Sequence, residues 1–140
     1  MKLSEAVNKV IELAQKVFGY YDRELPKWHP NYPLVNPDDK EPPPPPEEKE
    51  LKDFLMSLSE DMIDQVLLLT YLGREGVGIA DLAESYEDLK GSFGGPEQVA
   101  AFLMHYAPLA DDLLDALEEL RKHKISVDRL PLKKVKVRKP

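Results

Sequence analysis

The stretch Ser59-Glu60-Asp61-Met62-Ile63-Asp64-Gln65-Val66-Leu67-Leu68-Leu69-Thr70-Tyr71-Leu72-Gly73 decides the fold of this 140-residue chain. Ser59 is a helix N-cap residue, and Glu60 and Asp61 follow in the first turn, where the helix dipole favours acid. Gly73 supplies a stop. Between them Ile63, Val66, Leu67, Leu68, Leu69, Tyr71 and Leu72 fall on every side of the helix. A short helix that is apolar all round must be covered all round. The pattern therefore places it at the centre of a helical bundle or against a second subunit. The second alternative predicts a homodimer, with Ile63, Val66, Leu67, Leu68 and Tyr71 as the self-association surface.

Working outward, apolar residues recur at helical spacing on both sides. Val7, Val10, Ile11, Ala14, Val17 and Phe18 predict a helix over 4–18, with Ser4 as its cap and Gly19 as its stop. Leu51, Phe54, Leu55 and Leu58 predict one over 47–58. Further helices are predicted over 79–90, 96–106, with Pro96 at a natural first position, and 108–123. The last has Leu109, Leu113, Ala116, Leu117 and Leu120 inside and Asp111, Asp112, Asp115, Glu118 and Glu119 outside. The fold class is all-α: a compact bundle of about five to six helices in one domain over 1–124, with an extended basic tail over 125–140.

Nine of the thirteen prolines lie between Pro26 and Pro46. Proline removes backbone donors and disfavours helix at the residue before it, so 20–46 reads as a long non-helical connection. Pro42 to Pro46 should form polyproline II, about 15 Å long at roughly 3.1 Å per residue. Trp28, Tyr32, Leu34 and Val35 are expected on the core, and Asp38 to Glu50 in solvent.

Composition sets limits on function. With no cysteine, disulfides and thiolate metal sites are excluded. No apolar run approaches the roughly 18 residues of a membrane span, and the N-terminus has no signal-peptide core. These features lead one to expect a soluble cytoplasmic protein without membrane partners. The last twenty residues hold nine Lys and Arg against one Asp, so with a total of −7 the first 120 carry −15. An acidic body repels phosphate and anionic lipid, which leaves only the tail to attract them. Lys133, Lys134, Lys136, Arg138 and Lys139, alternating with Val135 and Val137, are the candidate contacts for a polyanion or for the chain's own acidic surface.

Two stretches carry a resemblance. One runs from Leu58-Ser59-Glu60-Asp61 to Leu69-Thr70-Tyr71-Leu72-Gly73-Arg74; the other from Ala100-Ala101-Phe102-Leu103-Met104 to Pro108-Leu109-Ala110-Asp111-Asp112-Leu113. Together they resemble a family of small bacterial proteins known only as domain of unknown function three-seven-seven-five. Leu72-Gly73-Arg74 and Leu109-Ala110-Asp111 are the best marks. Tyr71 stands where the resemblance leads one to expect tryptophan. The resemblance implies a bacterial origin and an all-helical fold; it supplies no activity and no catalytic residues.

Residue chemistry points nowhere strongly. Glu119 and His123 lie one helical turn apart, but a histidine in a last turn complements the dipole without any metal. Asp111, Asp112 and Asp115 invite acid chemistry, yet they lie opposite the apolar stripe, and a general acid needs a shielded pocket. Asp111 is nearest the Pro108 break, where a pocket with Arg74 and His105 would form. Gly73 to Gly78 lacks the Gly-Lys-Ser/Thr ending of a phosphate loop. The proline run suits either a spacer or a ligand for an aromatic groove. No cofactor, metal site or catalytic residue is expected. The chain reads first as a non-enzymatic protein-interaction or self-assembling module. Next comes a nucleic-acid-associated protein acting through the tail, and last a small-molecule enzyme with an acidic pocket near Pro108.

Overall fold

The computed structural model describes residues 1–130. Among them are six helices and no strand: α1 Leu3–Trp28, α2 Pro46–Ser57, α3 Glu60–Gly73, α4 Leu82–Leu89, α5 Pro96–Met104 and α6 Leu109–Lys122. Two short 3-10 turns, Ile79–Asp81 and Val127–Arg129, complete the order. None of these helices is long and apolar enough to cross a membrane.

α3 is the axis of the bundle. It packs most extensively on α6 and also meets α1, α4 and α5. Ser59 caps it, its hydroxyl oxygen accepting the Met62 N–H at 3.1 Å. Ile63, Val66, Leu67, Leu68 and Leu69 are each 0% exposed within a single chain. Of the two alternatives for an all-apolar helix, the central one is realised. The self-association surface expected of Ile63, Val66, Leu67 and Leu68 is therefore corrected: these side chains are core. Tyr71 is only half-buried, and it packs on Phe102.

Two sequence expectations fail around the first connection. α1 does not stop at Gly19; it continues three turns to Trp28, with Pro26 inside its last turn. A glycine ends a helix only where the chain needs a left-handed residue, and within a helix it costs only about 1 kcal/mol. Tyr20 and Tyr21 give the chain reason to continue. The Tyr20 hydroxyl donates to the Pro43 carbonyl, and the Tyr21 hydroxyl donates to Glu48 Oε1 at 2.7 Å.

The second failure concerns which residues of the connection are inside. Leu34 is 71% exposed, Val35 51% and Tyr32 42%, while Trp28 is half-buried with its indole N–H on Glu24. The buried positions are instead His29, Pro42 and Pro45. Polyproline II has three residues per turn, so Pro42 and Pro45 share one face, and that face seats on the bundle. Pro45 has φ −72° and ψ 154°, as that conformation requires.

At the other end, the helical unit does not finish at 124. Leu130 is buried, and Ile125 and Val127 pack against the core. Asp128 accepts the Ser4 backbone N–H at 2.8 Å and the Ser4 hydroxyl at 2.9 Å. Ser4 is thus inside the first turn of α1, not its cap, which is Lys2, and the free donors of Ser4 are satisfied from 124 residues away. The basic strip Lys133, Lys134, Lys136, Arg138 and Lys139 lies outside the described residues.

Candidate functional site

The three residues expected to form a pocket near Pro108 are not together. Asp111 is exposed on α6. His105, at the end of α5, has Nδ1 2.9 Å from the Ala101 carbonyl and faces a different groove. Arg74 follows α3, with its guanidinium carbon 5.0 Å from the centre of the Tyr71 ring and 5.8 Å from that of Tyr106. It stacks on aromatic faces and leaves the helix-end carbonyls to backbone donors.

The acid that matters here is Asp112, the neighbour of the predicted one. Asp112 is buried and accepts a hydrogen bond from the Tyr106 hydroxyl. Burial, then the bond to Asp112 and its charge, push the Tyr106 phenol up. Tyr106 stacks on Phe102 at 5.3 Å and 22°, and Phe93 meets Phe102 edge-on at 5.3 Å. Behind them Gly73 touches α6 by backbone. A Cβ at Gly73 would lie 1.7 Å from the Asp112 carbonyl oxygen. This constellation is a structural joint between α3, α5 and α6.

Acidic chemistry finds no better site elsewhere. Glu75, Asp115, Glu118 and Glu119 rim a shallow hollow of about 490 Å³ beside Gly73 and Gly78. No group of three His, Asp or Glu among the described residues is arranged to hold a metal ion. His123 Nδ1 lies 3.0 Å from the Glu119 carbonyl and 3.5 Å from its carboxylate, within its own helix turn.

The large concave feature is a groove of about 1340 Å³. The later turns of α1 form one wall with Val17, Phe18, Tyr21 and Leu25, and α5 forms the opposite wall with Ala100, Ala101 and Met104. Met56 of α2 and the proline run, through Pro44, Pro45 and Pro46, close the remaining side. The small side chains of Ala100 and Ala101 make the depth, and the rim carries both signs: Asp22, Glu48 and Glu97 with Lys49 and Lys52. No spacing rule exposes such a groove in sequence, because its walls come from four separate segments. The only legible signal was that α5 has two alanines where a tightly packed helix would carry larger residues.

Next to the groove stands a hook. Tyr32, one of the groove's lining residues, leads into exposed Leu34 and Val35. Successive turn hydrogen bonds shape it: Tyr32 N–H to His29 O, Leu34 N–H to Asn31 O and Asp39 N–H to Asn36 O, each 2.8–3.0 Å.

Fold and site together define a small helical bundle, wrapped round one apolar helix, with an open apolar groove between α1, α2 and α5. The chain belongs to the family described as protein of unknown function (DUF3775), whose model matches residues 48–121. No curated protein and no solved structure matches the chain. The matched segment runs from α2 to α6, so both marks, Leu72-Gly73-Arg74 and Leu109-Ala110-Asp111, lie within it. Gly73, of the first mark, lets α3 rest on α6 at Asp112, the residue after the second mark. α1, the hook and the prolines lie before the matched segment, so the groove takes its walls from both sides of residue 48.

Proposed function

We propose that the protein is a non-enzymatic, self-associating module in which the hook of one copy seats in the groove of a second. The observation that carries this is the pairing, on one chain, of an apolar groove with a protruding apolar hook beside it. A two-fold dimer needs a self-complementary surface, and a knob next to a hole provides one. Leu34 and Val35 are the most anomalous side chains of the hook, since a monomer gains nothing by holding them out in water on an ordered loop. The hook is already shaped by its own turn hydrogen bonds, so little ordering cost remains to be met on docking. The homodimer expected from sequence is kept in this reading, with its surface moved from α3 to the hook and groove. A cytoplasmic location accords with the cysteine-free composition.

The cysteine-free chain also makes the test clean. Leu34→Cys and Met104→Cys variants are mixed and oxidised. The proposal expects a covalent dimer in the mixture and in the double variant, and little in either single variant alone. No cross-link in the mixture overturns it. If the chain remains a monomer and shows salt-dependent binding to DNA or RNA that disappears on deleting 131–140, the nucleic-acid reading replaces it.

A further inference from the structure

His29 is the one histidine that is fully buried, with 0% of its side chain exposed, and both of its ring nitrogens face carboxylates. Nδ1 lies 3.3 Å from Asp39 Oδ2, and Nε2 lies 3.2 Å from Glu41 Oε2. Only the imidazolium can satisfy this arrangement, because the neutral ring has one N–H and one lone pair. Removing either proton turns a charge-assisted hydrogen bond into a lone pair facing a carboxylate oxygen.

The position of this triad gives it a consequence. His29 closes the end of α1, its N–H bonded to Leu25 O. Asp39 and Glu41 lie on the far side of the hook, just before the seated prolines. The ion pair therefore staples both ends of the 29–41 hook together and draws Pro42 to Pro45 down onto the bundle. The other fastenings of this segment are the Tyr20 bond to Pro43 and the Tyr21 bond to Glu48 at 2.7 Å. The Tyr21 phenol is pushed up to about 12 by burial and by Glu48, so it keeps its proton through neutrality.

We propose that His29 is a proton-operated latch: protonated, it holds the hook and the proline wall of the groove in place, and deprotonated, it releases them. Asp39 and Glu41 are the charged groups that bear on the ring. The acids of the flanking helices are engaged elsewhere, Glu24 of α1 with Lys27 and Trp28, and Glu48 of α2 with Tyr21. Burial alone pushes the imidazole pKa down; the hydrogen bonds to Asp39 and Glu41, with their charges, outweigh it and hold the ring above its ordinary 6.5. A raised folded pKa means the latch contributes fully below pH 6.5 and is lost as pH rises through the folded midpoint. The device thus works above pH 6.5, the ordinary imidazole midpoint. As a control on self-association this rests on the hook-and-groove reading; as a control on the hook itself it does not.

The test follows the full-length protein by NMR and hydrogen exchange across this pH range. The His29 ring should titrate with a midpoint above 6.5, and amide protection over 32–41 should fall through the same midpoint by more than the intrinsic pH dependence of exchange. Glu41→Gln, at an exposed carboxylate, should lower the midpoint and move the loss of hook protection with it. His29→Gln should leave the hook unprotected at every pH, with core amides of α3 unchanged. If the wild-type protein dimerises, dimer dissociation should follow the same midpoint. A His29 midpoint at or below 6.5 overturns the latch, as does hook protection indifferent to pH. A monomer at every pH whose hook still opens at the His29 midpoint overturns the self-association reading and leaves the latch standing.

Discussion

Gly73 shows how much a single residue decides in this bundle. Its sequence reading as a helix stop was correct, since α3 ends there. Its larger role was invisible, because the partner is the Asp112 backbone, which no local pattern connects to it. Gly73→Ala puts a methyl group into that backbone contact, where nothing flexible can yield. A loss of about 3 kcal/mol is expected, read as a fall in Tm of roughly 10 °C. The same opacity explains why Asp111 and not Asp112 was singled out. Both sit at the start of α6, and only the packing of Tyr106 decides which is enclosed. Tyr106→Phe leaves that buried carboxylate without its donor and should cost about 2 kcal/mol, measurable as a lower denaturant midpoint with an unchanged m-value. Asp128 makes a further residue-scale prediction. Its carboxyl is held below the ordinary 3.8 by the Ser4 backbone N–H foremost, with the Ser4 hydroxyl and Lys2 adding to the effect against burial. A depressed folded pKa gives stability that is present above 3.8 and is lost as pH falls through the folded value. Asp128→Ala should therefore cost about 1 kcal/mol at neutral pH, as loss of a helix cap does. The gap from wild type should close in acid.

Among the elements, those with strong helical periodicity were legible and those built by long-range contact were not. α2, α3, α5 and α6 lie within two residues of the helices their spacing predicts, because caps and stops act locally. α1 overran its prediction because the aromatic pair Tyr20–Tyr21, and not Gly19, governs that segment: each hydroxyl ties α1 to chain more than twenty residues away. The connection misled for a related reason. Leu34 and Val35 look like core residues by composition, whereas Pro42 and Pro45 become core by the three-residue period of polyproline II. For α3, the sequence left a choice between core and interface, and burial within one chain settles it. Leu67→Ala should accordingly cost about 3 kcal/mol, with a loss of stability that does not depend on protein concentration. If the effect instead appeared as weaker self-association with an intact monomer, α3 would not be the core of a single chain.

For the molecule as a whole, charge and shape give different information. The −15 carried by the first 120 residues repels phosphate, but it selects no partner. Shape is more specific. The groove of about 1340 Å³ stands beside a hook that holds Leu34 and Val35 in solvent. Half of it stands on α2 and α5, which belong to the family segment, and half on α1 and the prolines, which precede it. Light scattering behind size exclusion tests self-association through this surface, on wild type and on Leu34→Glu at pH 6. Leu34 is mostly solvent-exposed, so the glutamate should leave the helical circular dichroism of the chain unchanged. The wild-type protein should elute at twice the 15.9 kDa of one chain and Leu34→Glu at 15.9 kDa. A wild-type monomer at every concentration, or a Leu34→Glu variant that remains a dimer, would contradict it.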